Sequence, residues 1–272
     1  MKKMLILGLF LLVSITLSAC GLGDNGDERP LRVGMDLSYP PFETIEGGEP
    51  YGISVDVAEL FGEFIGREVE IVNTNFGSLI PAVNAGDIDI IIASMSKTEE
   101  RAQSVDFSDP YFYFKIISLV NQDFADQHNL DGDSTTEDIL AIDDTKFIGI
   151  AAQVSSQIPR DLGKDVTEAT ELSTAIQEVA QGSSDILMMS SFPVTNGHRA
   201  NPDTTMVIWD PFQSSPISMA VEKGNEELLA QANEFIATMH DDGGAYDVLR
   251  ERWDDEVQAL LERYGLEFFI NE

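Results

Sequence analysis

The apolar positions of this chain fall into one unbroken run near its start and a succession of short periodic stretches after it. Leu31-Arg32-Val33-Gly34-Met35 reads as a short strand, and Tyr39-Pro40-Pro41-Phe42 as an extended turn, since proline disfavours helix in the residue before it. Val57, Leu60, Phe61, Phe64 and Ile65 recur at helical spacing, with Gly66 as the stop. Val69–Val72 is strand, and Asn75 can cap a helix carrying Leu79, Ile80 and Val83 that ends near Gly86. Ile88–Ala93 is nearly all apolar, as a strand buried on both faces would be. Ser96-x-x-Glu99 has capping-box spacing and predicts a further helix start. The alternation resumes with strand at Ile116–Val120, polar surface over 121–138, strand at Phe147–Ala151, and helices over Ser155–Leu162 and Leu172–Ala180. Strands follow at Ile186–Met189 and Ile217–Val221. A helical stripe from Leu228 to Met239 breaks at Gly243-Gly244, and a last helix carries Trp253, Val257, Leu260, Leu261 and Tyr264. Strands alternating with helices predict an α/β fold with a parallel or mixed sheet.

One echo runs through the pattern. Helix, Gly86-x-x-Asp89, apolar strand, then Ser94 is matched by helix, Gly182-x-x-Asp185, apolar strand, then Ser190. Two similar α/β lobes facing one another would produce it.

The 272 residues, 43% of them apolar, are enough for one or two packed domains and too hydrophobic for a disordered chain. Forty-eight acidic and 16 basic residues give a formal charge of −32, which excludes nucleic acid and an anionic membrane surface as partners. One cysteine cannot close an internal disulfide, and His128, His198 and His240 are too scattered for a histidine metal site. Asn129-x-Asp131-Gly132-Asp133 lacks the positions of a calcium loop, so neither metal nor cofactor is expected.

Lys2 and Lys3 precede the apolar run Met4–Val13, too short to span a bilayer but suited to a signal-peptide core. The tetrad Leu17-Ser18-Ala19-Cys20 that follows resembles the lipobox of bacterial lipoproteins. That resemblance implies removal of residues 1–20, a lipid on Cys20 and a polar tether over 21–30. A plain signal peptide with a chance cysteine is the alternative. The shortened chain would carry 14 basic and 48 acidic residues, about −34, which suits a salty or alkaline exterior.

In open α/β sheets ligands bind beyond the C-terminal ends of strands. Asp36, Tyr39 and Phe42 follow the first strand, and Ser94, Ser96 and Arg101 follow the third. A hydroxyl pair, free helix N–H groups and a guanidinium fork together suit a carboxylate. Arg101 could instead make a surface ion pair with Glu99 or Asp106, and Tyr39 and Phe76 could be core aromatics.

LRVGMDLSYPPFE, NFGSLIPAVNAGDIDIIIASMSKTEERAQSVDFSDPYF and, near the end, PISMAVEKGNEELLAQANEFIATMHDDGGAYDVLRERW resemble the extracytoplasmic solute-binding proteins of polar amino acid ABC importers, family 3. The resemblance implies a two-lobed periplasmic-binding-protein-like (type II) α/β fold with two hinge strands, closing on a ligand. Lobe 1 would comprise 31–115 and 212–255, lobe 2 would be 116–211, and 256–272 would be a C-terminal helical extension. Arg101 stands where the family clamps a ligand carboxylate, Ser94 and Ser96 where hydroxyls bind it, Tyr39 and Phe76 where aromatics flank its side chain, and Asp36 at a polar pocket position.

The second lobe departs from the family. Ala152-Gln153-Val154-Ser155-Ser156 replaces a glycine-led motif, leaving Ser155 and Ser156 as donors. Where an aspartate usually meets the ligand ammonium the chain has Ser190 and Ser191, and no replacement acid is visible. Amino acids that depend on that aspartate are therefore expected to bind weakly. The sequence predicts a monomeric, lipid-anchored, extracytoplasmic component of an ABC importer, without catalysis, binding an amino acid or other small carboxylate and serving a permease. A dehydratase of the cyclohexadienyl type on the same scaffold, or a ligand-sensing accessory protein, are the alternatives.

Overall fold

The computed structural model describes residues 29–151, 153–261 and 264–271. The leader, Cys20 and most of the tether lie outside the described residues, as does Ala152.

The first part of the chain forms β1 (Leu31–Met35), a hairpin of β2 (Thr44–Glu46) and β3 (Glu49–Tyr51), α1 (Ile53–Ile65), β4 (Val69–Asn73), α2 (Leu79–Ala85), β5 (Ile90–Ile91) and the long β6 (Val105–Asn121). A second stretch contains α3 (Gln122–His128), α4 (Thr136–Leu140), β7 (Phe147–Ile150), α5 (Val154–Asp161), β8 (Val166–Ala169), α6 (Leu172–Ala180), β9 (Ile186–Ser190) and α7 (Ser191–Ala200). The chain returns through β10 (Thr205–Glu222) and closes with α8 (Glu226–Thr238), α9 (Ala245–Leu261) and the single turn α10 (Glu267–Ile270).

The larger sheet has the order β4-β1-β5-β10-β6-β9-β7-β8. β1 is parallel to β4 and β5, and β7 is parallel to β8 and β9. Between these groups β6 and β10 run antiparallel, pairing Val105 with Glu222 at one end and Asn121 with Thr205 at the other. They are the two strands that cross between lobes, so the predicted two-lobed α/β architecture is the one observed. One core draws on residues from Leu31 to Phe114 and again from Ile217 to Ile270, with Phe192 added. Two smaller clusters, from Ile116 to Ile208, cover the two faces of the second lobe's sheet.

The internal echo is structural. Gly86 and Gly182 both close helical segments at φ 73°, in the left-handed region that favours glycine. Asp89 then accepts the Arg32 amide at 3.0 Å and donates its own to Arg32 O at 2.8 Å. Asp185 does the same with Lys146, at 2.8 Å in each direction. In both lobes the aspartate ties one strand to the start of its parallel neighbour.

Several expectations need correction. The strand expected over 88–93 is regular only at Ile90–Ile91. No helix starts at Ser96: residues 96–97 pair with the edge of β10, through a Ser96–Ile217 bridge and the Lys97 amide on Pro216 O at 2.9 Å. The helical turn that follows is a 3-10 turn at Arg101–Gln103. Asn75 caps no helix with its side chain; a 3-10 turn at Phe76–Ser78 precedes α2, and Asp36 accepts its first amide. The stretch 121–138 lies mostly at the surface, as read, but it is folded into α3 and the start of α4, with a capping box between Thr135 and Asp138. α7 was not foreseen, and α9 runs through residue 256 without a break.

Candidate functional site

The turn after β1 sets the site. Tyr39 and Glu43 exchange backbone hydrogen bonds of 2.8 and 3.0 Å around a cis Pro40–Pro41 bond. Phe42 is thereby buried completely and Glu43 to 2% exposure. The start of α1 seals the turn from below, with Ile53 N–H donating to Pro41 O at 3.0 Å and Ser54 N–H to Phe42 O at 2.7 Å. Gly52 permits this approach, since it sits at φ 135° and a Cβ there would lie 2.2 Å from Phe42 O.

Ser94 takes a left-handed backbone, φ 50°, and its Oγ donates to Glu43 Oε2 at 2.9 Å. Ser54 Oγ lies 3.5 Å from Ser94 Oγ. Burial pushes the Glu43 carboxyl up to about 8; hydrogen bonds from Ser54 and Ser94 oppose the rise, and the Asp36 charge adds to it. Glu43 was missed in the sequence, where no replacement acid was seen. Its only signal was its place directly after the two-proline turn.

Ser96 Oγ accepts from Ser215 Oγ at 2.8 Å, and Ser96 O accepts from Arg101 Nη1 at 2.8 Å. Thr98 Oγ1 accepts the Arg101 amide at 3.2 Å. The guanidinium carbon stands 5.1 Å from the centre of the Phe76 ring. Among the described residues no carboxylate comes within ion-pair distance of Arg101, and Asp106 is engaged by Lys223 and the Gly224 amide. The ion pair weighed from sequence does not form. Arg101 is half-buried, and that burial lowers its pKa against the opposing charge of Glu100.

Asp36 accepts the Phe76 amide at 2.8 Å and the Ser38 hydroxyl at 2.6 Å, so it braces the aromatic that lies against Arg101. Across the cleft, Tyr39 Oη and Ser190 Oγ are 2.6 Å apart, joining two segments 151 residues distant in sequence. Burial raises the Tyr39 pKa, which the Ser190 contact partly offsets and Glu43 reinforces. Two groups result: Asp36, Phe76, Arg101 and Ser96, and beside them Tyr39, Ser190, Ser94 and Glu43. Ser155 and Ser156 join neither by hydrogen bond. Both are buried; Ser155 Oγ accepts the Ile150 amide at 2.9 Å and Ser156 Oγ donates to Gln153 O at 3.1 Å, which closes the turn between β7 and α5.

Among the described residues no three His, Cys, Asp or Glu side chains gather to hold a metal, and no helix is long and apolar enough to cross a membrane. A guanidinium with no ion-pair partner among the described residues, set against the Phe76 ring with Ser96 beside it, is an arrangement whose chemistry suits an organic anion.

Residues 31–256 match a sequence model of the bacterial extracellular solute-binding proteins, family 3. An arginine-binding extracellular protein of Bacillus subtilis is 26% identical over 259 residues, spanning 93% of this chain and 98% of its own. Among solved structures, an ancestral arginine-binding protein bound to arginine is similar at 31% identity and a TM-score of 0.65, over 84% of this chain and 99% of that one. An ancestral amino acid-binding protein described as a precursor of cyclohexadienyl dehydratase is similar at 31% identity and a TM-score of 0.66, over 82% and 94%.

Proposed function

The chain belongs to family 3 of the bacterial extracellular solute-binding proteins, and on that footing we propose that it captures an amino acid between its two lobes and delivers it to the permease of an ABC importer. Arg101 is the observation that carries the reading. A half-buried guanidinium with no carboxylate at ion-pair distance among the described residues is costly unless a ligand supplies one, and a ligand α-carboxylate can take both arms of its fork. Ser94 and Ser96 add hydroxyls, Tyr39 and Phe76 offer ring faces to the ligand side chain, and Ser190 is the second-lobe hydroxyl at the site, Ser155 and Ser156 being engaged in the turn between β7 and α5. The lobes are taken as 31–115 with 212–255, and 116–211, a division supported by the parting of the hydrophobic cores.

Glu43 changes which ligand suits the cleft. Glu43, buried and protonated near neutrality, offers a hydrogen-bonding carboxyl and no charge, and the carboxylate of Asp36 on the same side is the group that would meet a positive charge on a solute that also carries a carboxylate. The arginine-binding relatives point to the same class. The test is a thermal-shift panel of L-arginine, L-lysine, L-glutamine, glycine betaine and succinate. A cationic amino acid at about 100 times its dissociation constant adds roughly 2.7 kcal/mol, a shift of several degrees. A shift by succinate or betaine alone would overturn the ligand class.

Lipid attachment at Cys20 would hold the binding protein at the outer face of the membrane beside its permease; Cys20→Ala should release it into the soluble fraction. One observation favours a second reading. A buried carboxyl held protonated near neutrality, as in Glu43, is what a dehydratase needs to expel a leaving group. Formation of an aromatic product from prephenate or arogenate would decide for it.

A further inference from the structure

Residues beyond 256 lie outside the family match, yet the structure places them against the cleft's supports. Phe269, 1% exposed, enters an aromatic cluster built from both lobes. Its ring meets Phe42 and Phe114 edge-on at 5.5 Å each and stacks on Phe192 at 5.2 Å. Phe42 belongs to the turn that carries Tyr39 and Glu43, and its ring stacks with Tyr39 at 6.2 Å. Phe192 is the second residue of α7, two after Ser190. One side chain therefore touches both segments whose tips meet across the cleft as Tyr39 and Ser190.

The segment around Phe269 is anchored at several points. The Leu266 amide donates to Asp254 Oδ1 at 2.8 Å, and Glu267 pairs with Arg250 at 2.7 Å. Asn271 O accepts from Lys115 Nζ at 2.8 Å, and the same ammonium reaches Ser214 Oγ at 2.9 Å. Lys115 lies on β6 and Ser214 on β10, so the tail is fastened to both crossing strands. Tyr264 packs at 5.7 Å against Trp209, also on β10.

We propose that Phe269 is a positioning residue for the ligand cleft, and that the segment 264–271 is a strap that holds the two lobes in the arrangement where Tyr39 reaches Ser190. The proposal rests on the solute-binding reading, but its test needs no ligand. Aromatic packing that spans two bodies favours the geometry in which both are in contact with the ring. Without the ring, Phe42 and Phe192 keep only their own edge contact at 5.5 Å and lose the neighbour they share, which weakens the packing that joins the lobes behind the cleft.

Ser38 and Gln177 are exposed and line opposite sides of a groove of about 380 Å³ between the Tyr39 turn and α6. Nitroxide labels on Ser38→Cys and Gln177→Cys, in a Cys20→Ser background, report lobe separation by pulsed electron spin resonance in the ligand-free protein. The expected result is one short-distance population in the parent, a substantial fraction moved to longer distances in Phe269→Ala, and a return toward the parent in Phe269→Leu, which restores apolar volume. Circular dichroism establishes that each variant is folded. Should Phe269→Ala not fold, Lys115→Gln, which loosens the strap without emptying the core, is expected to shift the distribution in the same direction. A parent-like distribution in folded Phe269→Ala, or failing that in Lys115→Gln, overturns the proposal. Failure of L-arginine to bind the parent would count against the ligand reading and leave the distances to decide the strap.

Discussion

Burial acts on Arg101 and Glu43 in opposite ways, leaving the first charged and the second protonated near neutrality. Arg101 has no carboxylate within ion-pair distance among the described residues, and under the proposed function a ligand carboxylate would be its partner. Arg101→Ala should weaken binding by roughly 1.5–3 kcal/mol, about ten- to hundredfold, by calorimetric titration. Arg101→Lys should rescue poorly, because an ammonium cannot copy the fork. Glu43 keeps its proton up to about 8 in the folded chain, against an ordinary value of 4.5. Between those values the folded form binds the extra proton, so this group's contribution to stability falls as pH rises. Glu43→Gln keeps an oxygen for Ser94, and it should gain on the parent in melting temperature as pH goes from 5 to 8.5. A constant difference across that range would show that Glu43 is ionised throughout. Arg101, Ser94 and Ser96 were legible because a short contiguous stretch carries them. Glu43 was not, since a glutamate after a proline turn reads as exposed until Gly52 lets α1 close over it.

Among the elements, helices with a full apolar stripe, such as α1, α6 and α8, were legible from period alone. Of the crossing strands only the apolar stretches Ile116–Val120 and Ile217–Val221 were. β6 and β10 contain Asp109-Pro110, Asp210-Pro211 and Pro216, which break the strand pattern in sequence. In the ladder these irregularities are absorbed where the register shifts, between Ile208 and Gln213 and again near Ser218. The false helix at Ser96 has the converse cause: capping residues were present, but the edge of β10 offered backbone partners first. The repeated turns make a paired prediction. Asp89→Ala and Asp185→Ala each remove the acceptor for a strand amide, and each should cost about 1 kcal/mol in urea unfolding. The larger loss belongs to Asp89, which also holds Arg32 at 2.7 Å.

The whole molecule carries a formal charge of −32, and the ion pairs among its described residues neutralise few of its carboxylates. The remainder repel one another at distances that salt screens, about 10 Å at 0.1 M and about 3 Å at 1 M. Melting temperature should therefore rise steadily with sodium chloride between those limits, and potassium chloride should act alike. A flat response would mean that the repulsion is already accommodated in the fold. At this scale the two lobes were legible through resemblance, whereas the docking of residues 264–271 was not, because a one-turn helix has no period to read.

The division of the cores has a consequence for the order of assembly. The second lobe's two clusters draw on the uninterrupted stretch from Ile116 to Ile208, while the first lobe's core needs both Leu31–Phe114 and Ile217–Ile270. A chain threaded through a membrane from its N-terminus can complete the second lobe while the first still awaits its closing helices. Pulse-labelled hydrogen exchange on refolding should protect β7 and β9 before β1. Residues that emerge late, Phe269 among them, would then complete the first lobe and fasten it to a second lobe already formed.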